Sequence, residues 1–293
     1  MARHRSDTTL RMIYPQWQGG DICSWLPELP RRQAARGYYL GAQLLDFLAP
    51  RHDGPTVRVK VSRRCRRRRA EDGVLDRKVL VRQTRHALKL LHRERPGRVL
   101  VLGGECSVSV APFAYLRKLY GRDLVLIWID AHPDLTLPGD AYTGYHAMAV
   151  SALMGRGDER LTGLLPAAFD ARRILMVGLR DWERPEVRQR QLDYGIAHLG
   201  PEQVRSGLGE LRRWLRESGA AHAAIHLDLD VLDPVDMVAG VGVVDNGLTL
   251  RETMRVIRRV ARECEVVGMT VAEPMPRLAI RLQAMLRQLP LTH

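Results

Sequence analysis

Two short stretches each set several acids behind a run of hydrocarbon. "LVLIWI" is followed by "DAHPD", giving Asp130, His132 and Asp134, and "AAIH" is followed by "LDLDVLDP", giving Asp228, Asp230 and Asp233. Alternate residues at a strand end face the same way, so Asp130 can converge with His132 and Asp228 with Asp230, while a turn at Pro133 brings Asp134 round to join them. Carboxylates gathered at the mouth of a buried sheet repel one another strongly, and divalent cations remove that cost. Oxygen-rich ligands with one or two nitrogens suit Mn²⁺ or a comparable first-row ion. More carboxylates than one ion needs suggest two ions sharing bridging ligands. A lone Asp in such a place is a turn former or a helix cap; two motifs behind two apolar strands are a metal centre.

A third stretch, "LGGECSVS", puts Glu105 and Cys106 behind the apolar run "VLVL". Cysteine is often buried only to fill space, so the meaning of Cys106 depends on what else arrives beside it.

These residues need elements to hold them. "TVRVKV", "RVLVL", "LVLIWI", "RILMVGL", "AAIHLDLD" and "EVVGMTV" read as strands without clean alternation, as a parallel sheet covered on both faces produces. Between them Leu80, Thr84, Leu88 and Leu91 lie on one helical face, as do Val204, Leu208, Leu211 and Leu215. A further helix opens at Thr249 with Glu252 completing a capping box, and Met254, Ile257, Val260 and Ala261 form its inward stripe. The alternation predicts a three-layer α/β/α fold with a mainly parallel central sheet, as one domain over residues 1–293. Ligands collect beyond the carboxyl ends of such strands, which is where the acids stand.

Composition narrows the function classes. Among 293 residues, 45% are hydrophobic, enough for a large core. The four cysteines are far apart with no CxxC spacing, against a zinc ribbon or a disulfide framework and in favour of a reducing compartment. The N-terminus lacks an apolar secretion segment and no apolar run approaches the roughly 20 residues that cross a bilayer, so no membrane partner is expected and the cytoplasm is the expected location. The formal charge of +13 and the arginine-rich segment 58–78 invite a nucleic-acid reading. That run carries no recognition helix, zinc frame or aromatic platform, and it reads as a solvated basic loop, with no nucleic-acid partner.

From Val99 to Pro276 the order of motifs resembles the arginase or ureohydrolase family of dinuclear manganese amidinohydrolases, which includes arginase, agmatinase and formimidoylglutamase. The family's "GGDHS" looks like Gly103 to Ser107, its "DAHxD" like Asp130 to Asp134, its "DxDxxDP" like Asp228 to Pro234, and its final glutamate segment like "GMTVAEPMP" with Glu273. The resemblance implies an arginase-like fold and two Mn²⁺ bridged by Asp130 and Asp228, one ion completed by His132 and Asp230, the other by Asp134 and residue 106. It also implies hydrolysis of a guanidino carbon by a hydroxide bridging the ions, Glu273 holding the cationic guanidinium, and His146 in "YTGYHAM" passing a proton to the leaving amine. Thr136 and Thr143 would meet a substrate α-carboxylate, and Asp181 and Glu183 in "GLRDWERPE" its α-amino group. The family commonly forms trimers or hexamers, so a homo-oligomer is compatible.

The departures are informative. Cys106 stands where the family usually has a histidine ligand, so a cation there meets sulfur, which favours Zn²⁺ or Fe²⁺ over Mn²⁺ more than imidazole does. Three outcomes are open: altered electronics at the second ion, weak binding that leaves one ion, or lost activity; retention of every other ligand favours the first. Branches of the family that act on hydroxyarginine look similar in carrying cysteine there, which points to a guanidino or N-hydroxyguanidino amino acid and release of urea or hydroxyurea. Glu105 replaces an Asp and is expected to orient a ligand rather than to coordinate. The loop after Asp134 is about a residue shorter than in arginases, and Ala239 replaces a proline in a loop made tight by Gly240, Gly242 and Gly247. The competing readings are a single-zinc deacetylase-like amidohydrolase and a non-catalytic scaffold with a basic nucleic-acid patch.

Overall fold

A computed structural model describes residues 5–26, 28–29, 31–64 and 68–288. Of the arginine-rich segment, Cys65, Arg66 and Arg67 lie outside the described residues. The strands in chain order are β1 (Arg5–Tyr14), β2 (Thr56–Arg58), β3 (Ala70–Glu71), β4 (Val74–Leu75), β5 (Pro96–Gly103), β6 (Leu124–Ile129), β7 (Ile174–Val177), β8 (Ala197–Leu199), β9 (His222–Asp228) and β10 (Glu265–Ala272). Eight form one sheet in the order β2-β1-β5-β10-β9-β6-β7-β8, with every pairing parallel. The strands β3 and β4 form a separate antiparallel pair.

Strand β6 shows why the apolar runs lack alternation. Leu124, Leu126 and Trp128 enter one core, shared with helices Arg77–Glu94 and Val110–Tyr120, while Val125, Ile127 and Ile129 enter another, shared with Gly209–Ser218 and Leu250–Glu263. Each face of the sheet is sealed by helices, so both sides of the strand must be hydrocarbon. A third cluster joins Trp17, Ile22, Leu26 and Tyr38 to Met275 and Ile280, beside the end of β10.

The α/β/α layering agrees with the expectation, and several details do not. Strands β1 and β8 were not expected: β1 is rich in polar residues and β8 has only three residues. "TVRVKV" contributes only the edge strand β2. Asp230 lies not on a strand but in the 3₁₀ turn Leu229–Val231. The single face from Val204 to Leu215 is two helices, Pro201–Ser206 and Gly209–Ser218, because Gly207 between them takes φ 141°. The Thr249–Glu252 capping box forms as expected, with Glu252 N donating to Thr249 Oγ1 at 3.1 Å and Thr249 N to Glu252 Oε2 at 2.9 Å. The stripe of that helix is rotated from the expected one: Thr253, Val256 and Val260 are buried, Met254 is half-buried and Ala261 exposed. A buried threonine carried the true seam, and an apolar count passes over it. The basic loop is not wholly solvated either, since the Arg68 guanidinium turns inward to Gly20 O at 2.5 Å and Asp76 at 2.7 Å. Among the described residues no helix is long and apolar enough to cross a membrane.

The central strands lie side by side as β5, β10, β9 and β6. Immediately beyond or at their carboxyl ends stand Cys106, Glu273, Asp228 and Asp130 respectively. Cys106 and Glu273, 167 residues apart in the chain, therefore share one edge of one sheet with Asp130 and Asp228.

Candidate active site

The same local device ends three of these strands. Asp130 Oδ1 accepts from His132 N at 2.7 Å, Asp228 Oδ1 from Asp230 N at 2.8 Å, and Glu105 Oε2 from Ser107 N at 2.8 Å. An acid that bonds the amide two residues on folds the chain into a turn and stops the strand. The convergence of Asp130 with His132, and of Asp228 with Asp230, therefore comes from these turns and not from strand alternation. Close approach is permitted by glycine at two places. A Cβ on Gly104 would lie 1.7 Å from Gln16 O, and one on Gly242 would lie 2.6 Å from Asp230 Oδ2. Asp134, Glu183 and Glu273 adopt left-handed backbone at φ 50°, 58° and 61°. For residues with a Cβ this costs about 1–2 kcal/mol each. Hydrogen bonds hold two of them: Val150 N and Ser151 N donate to Asp134 O at 3.1 and 3.3 Å, and Glu273 N donates to Gly104 O at 2.7 Å.

A cavity of about 290 Å³ opens on this edge, lined by Cys106, His132, Asp134, Thr136, His146, Asp181, Glu183, Asp228, Asp230 and Glu273, with Trp25, Leu135, Val187, Val241 and Val243 as apolar walls. Two sets of donors within 4.8 Å of one another share Asp130: Cys106, Asp130, His226 and Asp228 on one side, and Asp130, His132 and Asp230 on the other. A third set joins Cys106, His146 and Glu273. None of the three includes Asp134, which lines the cavity one step back with its Oδ2 buried and unpartnered.

Burial dominates the electrostatics. It pushes Asp130 up to about 6, with the Asp230 charge adding to it, and holds Asp228 and Asp134 well above the usual carboxylate range. Burial would also raise Asp230, but His132, with Nδ1 at 3.2 Å from Asp230 Oδ2, outweighs it and brings Asp230 down to about 2. The Cys106 thiol, donating to Asp228 Oδ2 at 2.8 Å, is held well above its ordinary value by burial and by Asp134, Asp228 and Asp130. Glu273 is pushed up to about 8 by burial, opposed by the Cys106 amide at 3.3 Å. His146, 3.3 Å from Glu273, is brought down to about 3 by burial and by His132, and so is neutral near pH 7.

These groups fit divalent cations. The buried atoms Asp134 Oδ2, Asp230 Oδ1 and His226 Nε2 have no hydrogen-bond partner, and each is of a type that ligates a cation. A cation would relieve the burial and the mutual repulsion that hold the carboxylates up.

The remaining expectations divide. Thr136 lines the cavity, buried, whereas Thr143 is not among the lining residues and its carbonyl accepts from Leu75 N at 2.9 Å. Asp181 lies 3.9 Å from His132 Nε2 and accepts from Glu183 N at 2.7 Å, so both acids are at the mouth. Asp233 is a turn former, accepting from Val235 N at 2.9 Å. Glu105 turns away from the cavity's donors: its partners are Ser107 Oγ at 2.9 Å and Gln16 Nε2 at 2.7 Å, so it shapes the turn that carries Cys106.

Sequence reasoning passed over several contributors. The Tyr38 hydroxyl donates to Glu273 Oε2 in a short bond, and Tyr142 OH meets His146 Nε2 at 2.6 Å while stacking on Trp25. Arg180 reaches the carbonyls of Asp230 at 3.1 Å and Val244 at 2.9 Å, tying the Asp230 turn to the loop over the cavity. His226 alone had a readable signal, since it stands two residues before Asp228 and so on the same strand face.

Comparison with known proteins is consistent with this geometry. Residues 52–287 match the model of the arginase family. The chain is 30% identical over 198 residues to arginase of Coccidioides posadasii (strain C735), covering 63% of this chain and 61% of that protein. It is 30% identical over 184 residues to arginase of Staphylococcus aureus (strain MRSA252), covering 60% of each. The chain thus spans about three fifths of the length of these curated relatives. The fold superposes on arginase from Bacillus caldovelox with TM-score 0.72 at 21% identity, covering 97% of this chain and 99% of that one. It also superposes on proclavaminate amidino hydrolase from Streptomyces clavuligerus with TM-score 0.66 at 17% identity, covering 92% and 84%.

Proposed function

The chain belongs to the arginase family, and we propose on that premise that it is a metal-dependent ureohydrolase, cleaving a guanidino or N-hydroxyguanidino amino acid to release urea or hydroxyurea. The observation that carries this reading is the pair of donor sets that share Asp130, of which Cys106, His132, Asp228 and Asp230 line one cavity. Asp130 and Asp228 would bridge two ions, His132 and Asp230 would complete one, and Cys106 with Asp134 would serve the other. Two divalent cations would supply Lewis acidity and lower the pKa of a water molecule, giving a nucleophile at neutral pH.

The chain's own groups do the rest. Glu273 faces the cavity with two oxygens aligned by Tyr38 and the Cys106 amide, a geometry suited to a planar guanidinium. A guanidinium bound against Glu273 would favour loss of its proton to solvent, so that binding and ionisation would reinforce each other. His146, neutral and beside Glu273, is placed to take a proton and deliver it to the leaving amine, with Tyr142 fixing the ring. Asp181 and Glu183 at the mouth would meet an α-amino group, and Thr136 an α-carboxylate, favouring an amino acid over a bare amine. Sulfur at position 106 donates more charge than imidazole, lowers Lewis acidity and suits an N-hydroxyguanidine.

The test is urea and hydroxyurea release from arginine, hydroxyarginine, agmatine and formimidoylglutamate with Mn²⁺, Fe²⁺ or Zn²⁺ supplied, alongside metal counting. Two ions per chain with release from the amino-acid substrates is expected. One ion per chain with deacetylation supports the single-zinc alternative and overturns the proposal.

A further inference from the structure

We infer that His226 is a metal ligand, supplying through Nε2 the imidazole of the sulfur-side cation. This rests on the two-ion reading above and adds a ligand that the motifs of the sequence do not assign.

Four observations support it. A ring nitrogen of His226 lies within 4.8 Å of donor atoms of Cys106, Asp130 and Asp228, all of them buried. Its Nδ1 is taken by Ser109 Oγ at 2.7 Å, while Nε2 is buried and has no partner. An unsatisfied buried polar atom costs about 1–3 kcal/mol, a loss that a cation would recover. The ring is also locked: it stacks on Trp128 with centroids 3.6 Å apart and planes 6° from parallel. That same indole donates to Asp130 Oδ2 at 2.9 Å, so one side chain orients both an imidazole and a shared carboxylate.

The Ser109 hydroxyl can accept from Nδ1–H or donate to a bare Nδ1. If Nδ1–H donates to its hydroxyl, Nε2 keeps a free lone pair, as metal-ligating histidines commonly require. The resulting donors are one sulfur, one nitrogen and carboxylate oxygens. Such a set suits Zn²⁺, Fe²⁺ or Co²⁺ better than Mn²⁺, whereas the His132 side stays oxygen-rich. The imidazole therefore comes from β9, beneath the site, and the turn after β5 supplies sulfur.

Loading the full chain with Co²⁺ tests this. The wild type should bind two ions, show a sulfur-to-cobalt absorption band, and give a hyperfine-shifted imidazole N–H proton resonance that exchanges slowly because it is buried against Ser109. His226→Gln should lose that resonance and weaken the sulfur-side ion by about 100-fold or more, beyond the usual effect of an outer contact. Two ions with the resonance and band unchanged in His226→Gln would overturn this inference and leave the two-ion reading standing. Failure of the wild type to bind Co²⁺ overturns both. Should the variant not fold, the wild-type spectrum decides, and absence of the slowly exchanging resonance rejects the ligand.

Discussion

The two donor sets that share Asp130 have similar backbones and opposite electrostatics. Each hangs from a strand end closed by an acid bonded to the amide two residues on. On the His132 side an ion pair is already present: Asp230 is held down to about 2 and His132 well above its ordinary value, each by the other. On the Cys106 side the donor set holds no such pair among the described residues, and the thiol and Asp228 are both held well above their ordinary values by burial and by neighbouring acids. One half stands as an internal ion pair, and the other is a set whose ionisation a cation would favour. The difference teaches that a ligand set can be assembled by the fold without being electrostatically complete.

The strongest way to break the comparison is to remove a carboxylate that both halves depend on. Asp228→Ala should abolish binding of the sulfur-side ion, weaken the other, and lower kcat by more than about 100-fold, read by metal analysis and urea release. Retention of two tightly held ions would show that the halves are not coupled. Cys106→His should change the preference rather than the count, raising Mn²⁺ affinity relative to Zn²⁺ by about tenfold or more in competition binding. Equal preference before and after would mean that the thiol does not touch the ion.

Proton linkage sharpens the contrast. Asp130 rises from an ordinary 3.8 to about 6 on folding, so its contribution to stability is present below about 3.8 and is lost as pH rises through about 6. Chelator-treated protein should therefore lose melting temperature across that window relative to metal-loaded protein, and the gap between the two melting curves should widen. A gap independent of pH would contradict the idea that cations relieve carboxylate repulsion. The smallest effect is expected at Glu273. Tyr38→Phe removes a hydrogen bond to a carboxylate, worth about 1.5–3 kcal/mol, and should lower kcat/KM roughly tenfold or somewhat more while leaving metal content unchanged. A loss of metal instead would place Tyr38 in the support of the metal centre.

Much of this was legible before folding because it is local. An acid after an unbroken hydrocarbon strand must emerge at the sheet edge, so "DAHPD" and "LDLD" declare Asp130, His132, Asp228 and Asp230 by position alone. The apolar runs likewise declare a sheet buried on both faces, and Thr249 with Glu252 declares a helix start. What was not legible depends on contacts between distant segments. Tyr38 meets Glu273 across 235 positions, and Gln16 meets Glu105 across 89, distances over which no local pattern survives. His226 had a positional signal, two residues before Asp228, but within "AAIH" it also counts as one more member of a buried strand, and only Trp128, paired with it on β6, fixes its ring.

The chain by itself thus determined which acids end which strands, because strand termination and turn formation are settled within a few residues by side chains bonding their own backbone. Only the tertiary structure decided which of those ends lie side by side, and so which donors face one another. The order β5-β10-β9-β6 interleaves strands from distant parts of the chain. Burial and charge act through space, and neighbours in space here are seldom neighbours in sequence.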